Sequence, residues 1–192
     1  MISVQSFPIR VNQWFAIALF TLLSLIFFFA EAVLFEHYAY LHSEISNGQL
    51  WRLFTGHLFH ANQNHLLMNL AGLWCLWALH GEYYTVKSNI LLFLTSGLIV
   101  ALGMYFFDPQ IEIYVGLSGI LHGFVAFGAL CDIEKRIKLG FFLFVGLLAK
   151  VGYEQLFGAS PDVVALIEMN VAINAHLFGV IGGVVFYLFY RK

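Results

Sequence analysis

The chain has 192 residues and a formal net charge of −2, with 61% hydrophobic and 10% charged residues and a mean hydropathy of +0.84. Soluble domains hold about 25% charged residues, so this is the composition of an integral membrane protein; at about 20 apolar residues per crossing it has room for roughly six spans and no sizeable soluble domain. The small charge and the lack of a basic stripe exclude nucleic acid as a partner.

Apolar runs at 11–30, 61–81, 89–107, 117–131, 139–153 and 169–190 predict six membrane helices, and Pro8, Pro109 and Pro161 all fall outside them. The first run is followed by Ala30-Glu31-Ala32, which imitates a cleavage site. Its apolar length exceeds that of a signal peptide, so it reads as a retained span. Cys75 and Cys131 are expected in the core and not as a disulfide. The connection at 31–60 is too long for a turn and mixes Phe35, Tyr38, Tyr40, Trp51, Phe54 and Phe59 with polar groups, which predicts a long first loop in the outer interface.

Arg10, Lys87, Lys135, Arg136, Lys138, Arg191 and Lys192 fall on one side of this arrangement, leaving Arg52 and Lys150 for the other. Both termini are therefore expected in the cytoplasm. No repeat or flexible linker appears, so residues 1–192 are expected to form a single all-α domain, a six-helix transmembrane bundle.

Polar groups inside such a bundle are costly, and their depths coincide. Ser118 lies 14 residues before Asp132 and His176 lies 15 before Arg191, placing both roughly 21–22 Å above the cytoplasmic edge. His65 and Asn69 precede Glu82 by 17 and 13 residues, at roughly 25 and 20 Å and one turn apart on one face. A cavity open to the outer side would bring water to that level. Gly116 and Gly119 around Ser118 suggest that the fourth helix starts inside the protein after the loop 108–115 dips in. Ser118 would then stand at a helix N-terminus, where unpaired N–H groups favour a developing anion.

Gly119-xxx-Gly123 and Ala175-xxx-Gly179-xxx-Gly183 allow the fourth and sixth helices to touch, so Ser118 and His176 can form an activated nucleophile pair. No Asp or Glu lies within any apolar run, which predicts a dyad without a third acidic member. His122, one turn after Ser118 on the same helix, competes with His176 as the base. Lys150, at roughly 20 Å, is a further rival, with outward pairing to Glu154 as its ordinary reading. His57, His60, His65 and His80 lack a His-Glu-x-x-His pair and a carboxylate at matching depth, so no metal is expected. His37, His42, His57 and His60 read as interfacial groups, and His80 as a helix-end residue.

Gly116-Leu117-Ser118-Gly119, Ala175-His176-Leu177-Phe178-Gly179-Val180-Ile181-Gly182-Gly183, His65-Leu66-Leu67-Met68-Asn69 and Trp51-Arg52, in this order-specific combination, resemble the rhomboid intramembrane serine proteases. The resemblance covers nearly the whole chain and is closest to the compact six-span bacterial type, GlpG. It implies Ser118 as nucleophile and His176 as general base, and His65, Asn69 and the Ser118 N–H as the oxyanion hole. Gly116, His122 and Gly179 would be supporting residues and Trp51-Arg52 structural. His122 departs from the tyrosine usual at its position.

The resemblance further implies hydrolysis of single-span or multi-span transmembrane substrates near the outer face of a bacterial inner membrane. The active site would open to the periplasmic side, with no cofactor and with lipid as surroundings. The fifth span and the loop 157–168 would form a lateral gate. A catalytically inactive relative that binds transmembrane segments is the alternative, while a transporter is disfavoured because the spans lack a coupling carboxylate and an inverted repeat.

Overall fold

A computed structural model describes residues 7–191; Lys192, counted above among the basic residues, lies outside them. The fold is predominantly helical. An apolar helix α1 (Val11–Phe29) runs into α2 (Glu31–Tyr38), β1 (Tyr40–Leu41), α3 (His42–Ser46) and α4 (Arg52–Thr55). The remaining long helices are α5 (Gln63–His80), α6 (Val86–Phe107), α7 (Ser118–Glu134), α8 (Lys138–Phe157) and α10 (Ile173–Tyr190). Strand β2 (Ile113–Tyr114) precedes α7, and the short α9 (Pro161–Ile167) precedes α10. Four of these, α1, α6, α8 and α10, are long and apolar enough to cross a membrane.

Local chemistry sets the helix starts and stops. Asn62 caps α5 by accepting the His65 N–H at 2.9 Å. Thr85 and Ser88 cap α6 reciprocally, at 3.0 Å and 2.8 Å. Pro161 opens α9, where its missing N–H removes nothing. Helix α8 continues past the apolar run to Phe157 and stops at Gly158, whose φ of +83° suits a residue without a Cβ. This extension brings Glu154 into the helix.

Helix α10 lies against α6 and α7, α7 also meets α8, and α1 packs on α5 and α6. The glycine ladders make the closest contact: a Cβ at Gly179 would overlap the Gly119 carbonyl, and one at Gly183 the Gly123 carbonyl. Backbone touches backbone there, as the small-residue spacing predicts. On α8, Phe141, Phe142, Val145, Leu148 and Leu156 are exposed, an apolar surface that only lipid suits.

The segment 31–60 is built, not loose. Its β1 pairs antiparallel with β2, Tyr40 opposite Tyr114. The buried Arg52 guanidinium donates to the Ala39 carbonyl at 2.6 Å, to the Glu36 carbonyl and to Gln49 Oε1 at 2.8 Å, so Trp51-Arg52 sits in a structural clamp. His57, expected at the interface, is instead buried and donates from Nε2 to the Gly97 carbonyl at 2.9 Å. Burial pulls its pKa down to about 4 and that of buried His60 to about 3. His80 is likewise buried, 3.4 Å from the Asp132 carboxylate. Cys131 is buried, but Cys75, expected in the core, is exposed because its side of α5 is not covered.

Candidate active site

After β2 the chain turns through Gly116, at φ +109°, and α7 begins with Ser118. Positive φ favours glycine here, and space demands it as well: a Cβ at Gly116 would lie 2.6 Å from His65 Nε2 and 3.5 Å from Asn69 Nδ2. The turn therefore holds the Ser118 helix terminus directly against α5. As the first residue of α7, Ser118 presents a backbone N–H that has no partner within the helix.

Helix α10, held on α7 by the glycine ladder, delivers the buried His176 with Nε2 3.1 Å from Ser118 Oγ. His122 does not compete for that hydroxyl. Its Nδ1–H donates to the Ser118 carbonyl at 2.6 Å, and its ring stacks on His176 with centroids 4.1 Å apart at 17°. The ring fills the position beside the imidazole that its own helix makes available one turn from Ser118.

The expectation of a pair without an acid is corrected here. Glu154 Oε2 lies 2.8 Å from His176 Nδ1, and its carboxylate is buried. The apolar run ends at Tyr153, but the helix does not, and a side chain on the next residue leans back toward the helix N-terminus into the bundle. Lys150 pairs with Glu154 at 2.8 Å, as the i,i+4 spacing predicts. It does not snorkel away: its Nζ also lies 2.8 Å from His122 Nε2 and 3.0 Å from His176 Nδ1. The sequence offers Glu154 only as an outward partner for Lys150; its approach to His176 is what the structure adds.

His122, Glu154 and His176 bring their donor atoms within 4.8 Å of one another, close enough to hold a cation. The Lys150 ammonium lies within hydrogen-bond distance of all three.

A cavity of about 670 Å³ lies over this group and is lined by Ser118, His176, His65, Asn69, Lys150 and Glu154. Helix α9 and the following residues 169–172 form part of its wall. His65 Nδ1 accepts the Ala61 N–H at 3.3 Å, so the ring proton belongs on Nε2, the atom facing the Gly116 turn. Asn69 Nδ2 is buried without a hydrogen-bond partner. Two side-chain donors, His65 Nε2 and Asn69 Nδ2, thus face the Ser118 region.

The family model of the Rhomboid domain matches residues 47–192, a stretch that includes every residue of this site. The chain belongs to the rhomboid family. With its apolar helices, it is an integral membrane protein. YdcA of Bacillus subtilis (strain 168), named as a rhomboid protease, is 31% identical over 147 residues, 72% of this chain and 66% of that protein. The rhomboid protease GluP of the same organism is 26% identical over 148 residues, 73% of this chain and 26% of that protein. The match thus spans just under two thirds of the first relative's length and about a quarter of the second's.

Proposed function

We propose that this rhomboid is an intramembrane serine protease that hydrolyses peptide bonds of transmembrane substrates near the outer membrane face. The observation that carries this reading is the 3.1 Å approach of His176 Nε2 to Ser118 Oγ on the wall of a cavity that His65 and Asn69 also line. Helices α1, α5, α6, α7, α8 and α10 are the six spans, in the arrangement of the bacterial GlpG type. Both termini face the cytoplasm, and the cavity opens to the outer side, where water enters.

In the reaction, Ser118 Oγ attacks the substrate carbonyl carbon while His176 Nε2 takes the hydroxyl proton. The resulting oxyanion faces the Ser118 N–H, His65 Nε2–H and Asn69 Nδ2–H, and the positive end of α7. Collapse of the tetrahedral species breaks the C–N bond, and the imidazolium returns its proton to the leaving amine. Water then attacks the acyl-enzyme ester, again losing a proton to His176, and Ser118 leaves with it.

Purified protein in proteoliposomes, incubated with a tagged single-span substrate, should yield a product cut near the outer end of the substrate helix. Ser118→Ala and His176→Ala should abolish it. Substrate bound by wild type yet left intact would instead identify a catalytically inactive binder.

A further inference from the structure

His176 Nδ1 has two neighbours that ask opposite things of it. Glu154 Oε2, at 2.8 Å, can only accept a hydrogen bond, whereas the Lys150 ammonium, at 3.0 Å, can only donate one. If Nδ1 carries the proton, Nε2 is free to take a proton from Ser118. If Lys150 donates to Nδ1, the proton of the neutral ring resides on Nε2 and the base is blocked. The side chains around the ring decide between these tautomers.

Only one assignment satisfies the whole group with His176 able to act as the base. His122 Nδ1 faces the Ser118 carbonyl, so it must donate there and its Nε2 must accept. Lys150 supplies that hydrogen bond at 2.8 Å and a second to Glu154 at 2.8 Å. Glu154 then accepts from Lys150 and from His176 Nδ1–H, and His176 Nε2 accepts from Ser118 Oγ–H. The bonds form a closed ring that begins and ends on Ser118, with each proton used once.

From this ring we propose that Glu154 is the positioning carboxylate of His176, making the site a Ser-His-Glu arrangement, and that it does so by outcompeting Lys150 for His176 Nδ1. The proposal rests on the reading of His176 as base given above. When the Ser118 proton moves to Nε2, Nδ1–H stays on the imidazolium and its bond to Glu154 becomes an ion pair. The carboxylate takes no proton. Lys150 pairs with Glu154 and donates to His122, whose ring stacks on the imidazole. Both charges come from α8, so the alignment of a base on α10 depends on a helix whose outer side faces lipid.

The test is Glu154→Gln, which keeps the shape and removes the charge. With no carboxylate to hold Nδ1–H, Lys150 donates to Nδ1 and the ring shifts to the blocked tautomer. The expected loss in kcat is about 10⁴-fold with KM little changed, the size of the loss when serine proteases are deprived of their orienting carboxylate. Long-range proton–nitrogen correlation spectra of histidine-labelled protein should show His176 as the Nδ1–H tautomer in wild type and shift toward Nε2–H in Glu154→Gln. The double variant Glu154→Gln/Lys150→Met removes both charges together, so neither is left without its partner. There the new amide oxygen accepts from Nδ1–H unopposed, the tautomer should return, and kcat should recover by at least about 10-fold over Glu154→Gln.

Wild-type kcat and an unchanged tautomer in Glu154→Gln would overturn the proposal. So would a loss of activity that accompanies a fall in thermal stability while the tautomer stays as in wild type, since that is a purely structural role. The spectra need no substrate. Wild-type protein with the Nδ1–H tautomer but no cleavage would therefore sink the protease reading and leave the ring standing.

Discussion

The Gly116→Ala variant perturbs the turn between β2 and α7 that sets the Ser118 terminus against α5. Alanine at φ +109° is strained, at a cost of about 1–3 kcal/mol for a residue held in a sparsely populated region. Its Cβ would lie 2.6 Å from His65 Nε2, whereas ordinary contact begins at 3.4 Å, so the ring must retreat by the difference, about 0.8 Å. A donor that would sit about 2.9 Å from the oxyanion is then near 3.7 Å, beyond hydrogen-bond range. Loss of one oxyanion donor lowers kcat by about 10²- to 10³-fold. The assay is initial-rate cleavage of a tagged single-span substrate in proteoliposomes, with Gly146→Ala as control. Gly146 on α8 has nothing within 4 Å of a new Cβ and should keep its rate. In a His65→Ala background, Gly116→Ala should cost little further activity, because the donor it displaces is already gone. A Gly116→Ala enzyme that cuts at the wild-type rate would refute the placement of His65 as an oxyanion donor.

His65→Ala and Asn69→Ala should each slow cleavage without unfolding the protein, and the double variant should lose less than the sum of both in free energy, since the donors share one oxyanion; an undiminished double variant removes this pair from the site. Gly179→Leu drives a side chain into the Gly119 carbonyl and should lower Tm and activity together, whereas a stable, active variant would contradict the backbone contact that sets the Ser118–His176 distance. His57 and His60 are held neutral in the fold, with pKa values near 4 and 3 against 6.5 unfolded. Below pH 6.5 the unfolded chain therefore binds protons that the folded chain does not, and stability falls as the pH drops from 6.5 toward 4. A Tm that stays flat across that window would contradict their neutral burial.

The parts of this architecture that follow from small-residue spacing and helical depth were legible in the sequence. Gly119, Gly123, Gly179 and Gly183 predict the α7–α10 contact because only backbone approach makes use of such a ladder. Ser118 and His176 share a level because rise per residue is fixed in a helix. His122 and His176 both lie within reach of Ser118 on helical geometry, and the small-residue ladder with the matching depths assigns His176 as base and His122 as its neighbour. The rotamer of His122, turned to its own helix carbonyl, fits that assignment.

Glu154 reads in the sequence only as the outward partner of Lys150, because an apolar run marks where hydrophobic residues stop, not where the helix does, and Gly158 is the actual terminator. Lys150 was placed on the right partner and given the wrong direction, as side-chain direction depends on acceptors from α7 and α10 that only the assembled bundle brings near. His57 was read as interfacial for a similar reason: the carbonyl that satisfies it belongs to Gly97, 40 residues away.

The most direct test of the central claim is to treat detergent-solubilised protein with a fluorophosphonate probe and map the modified residue by peptide mass spectrometry, following substrate cleavage in the same samples. A single adduct on Ser118, with labelling and cleavage lost together in His176→Ala, is the predicted result. Cleavage that persists when Ser118 is fully modified, or an adduct on another serine with Ser118 untouched, would contradict the account.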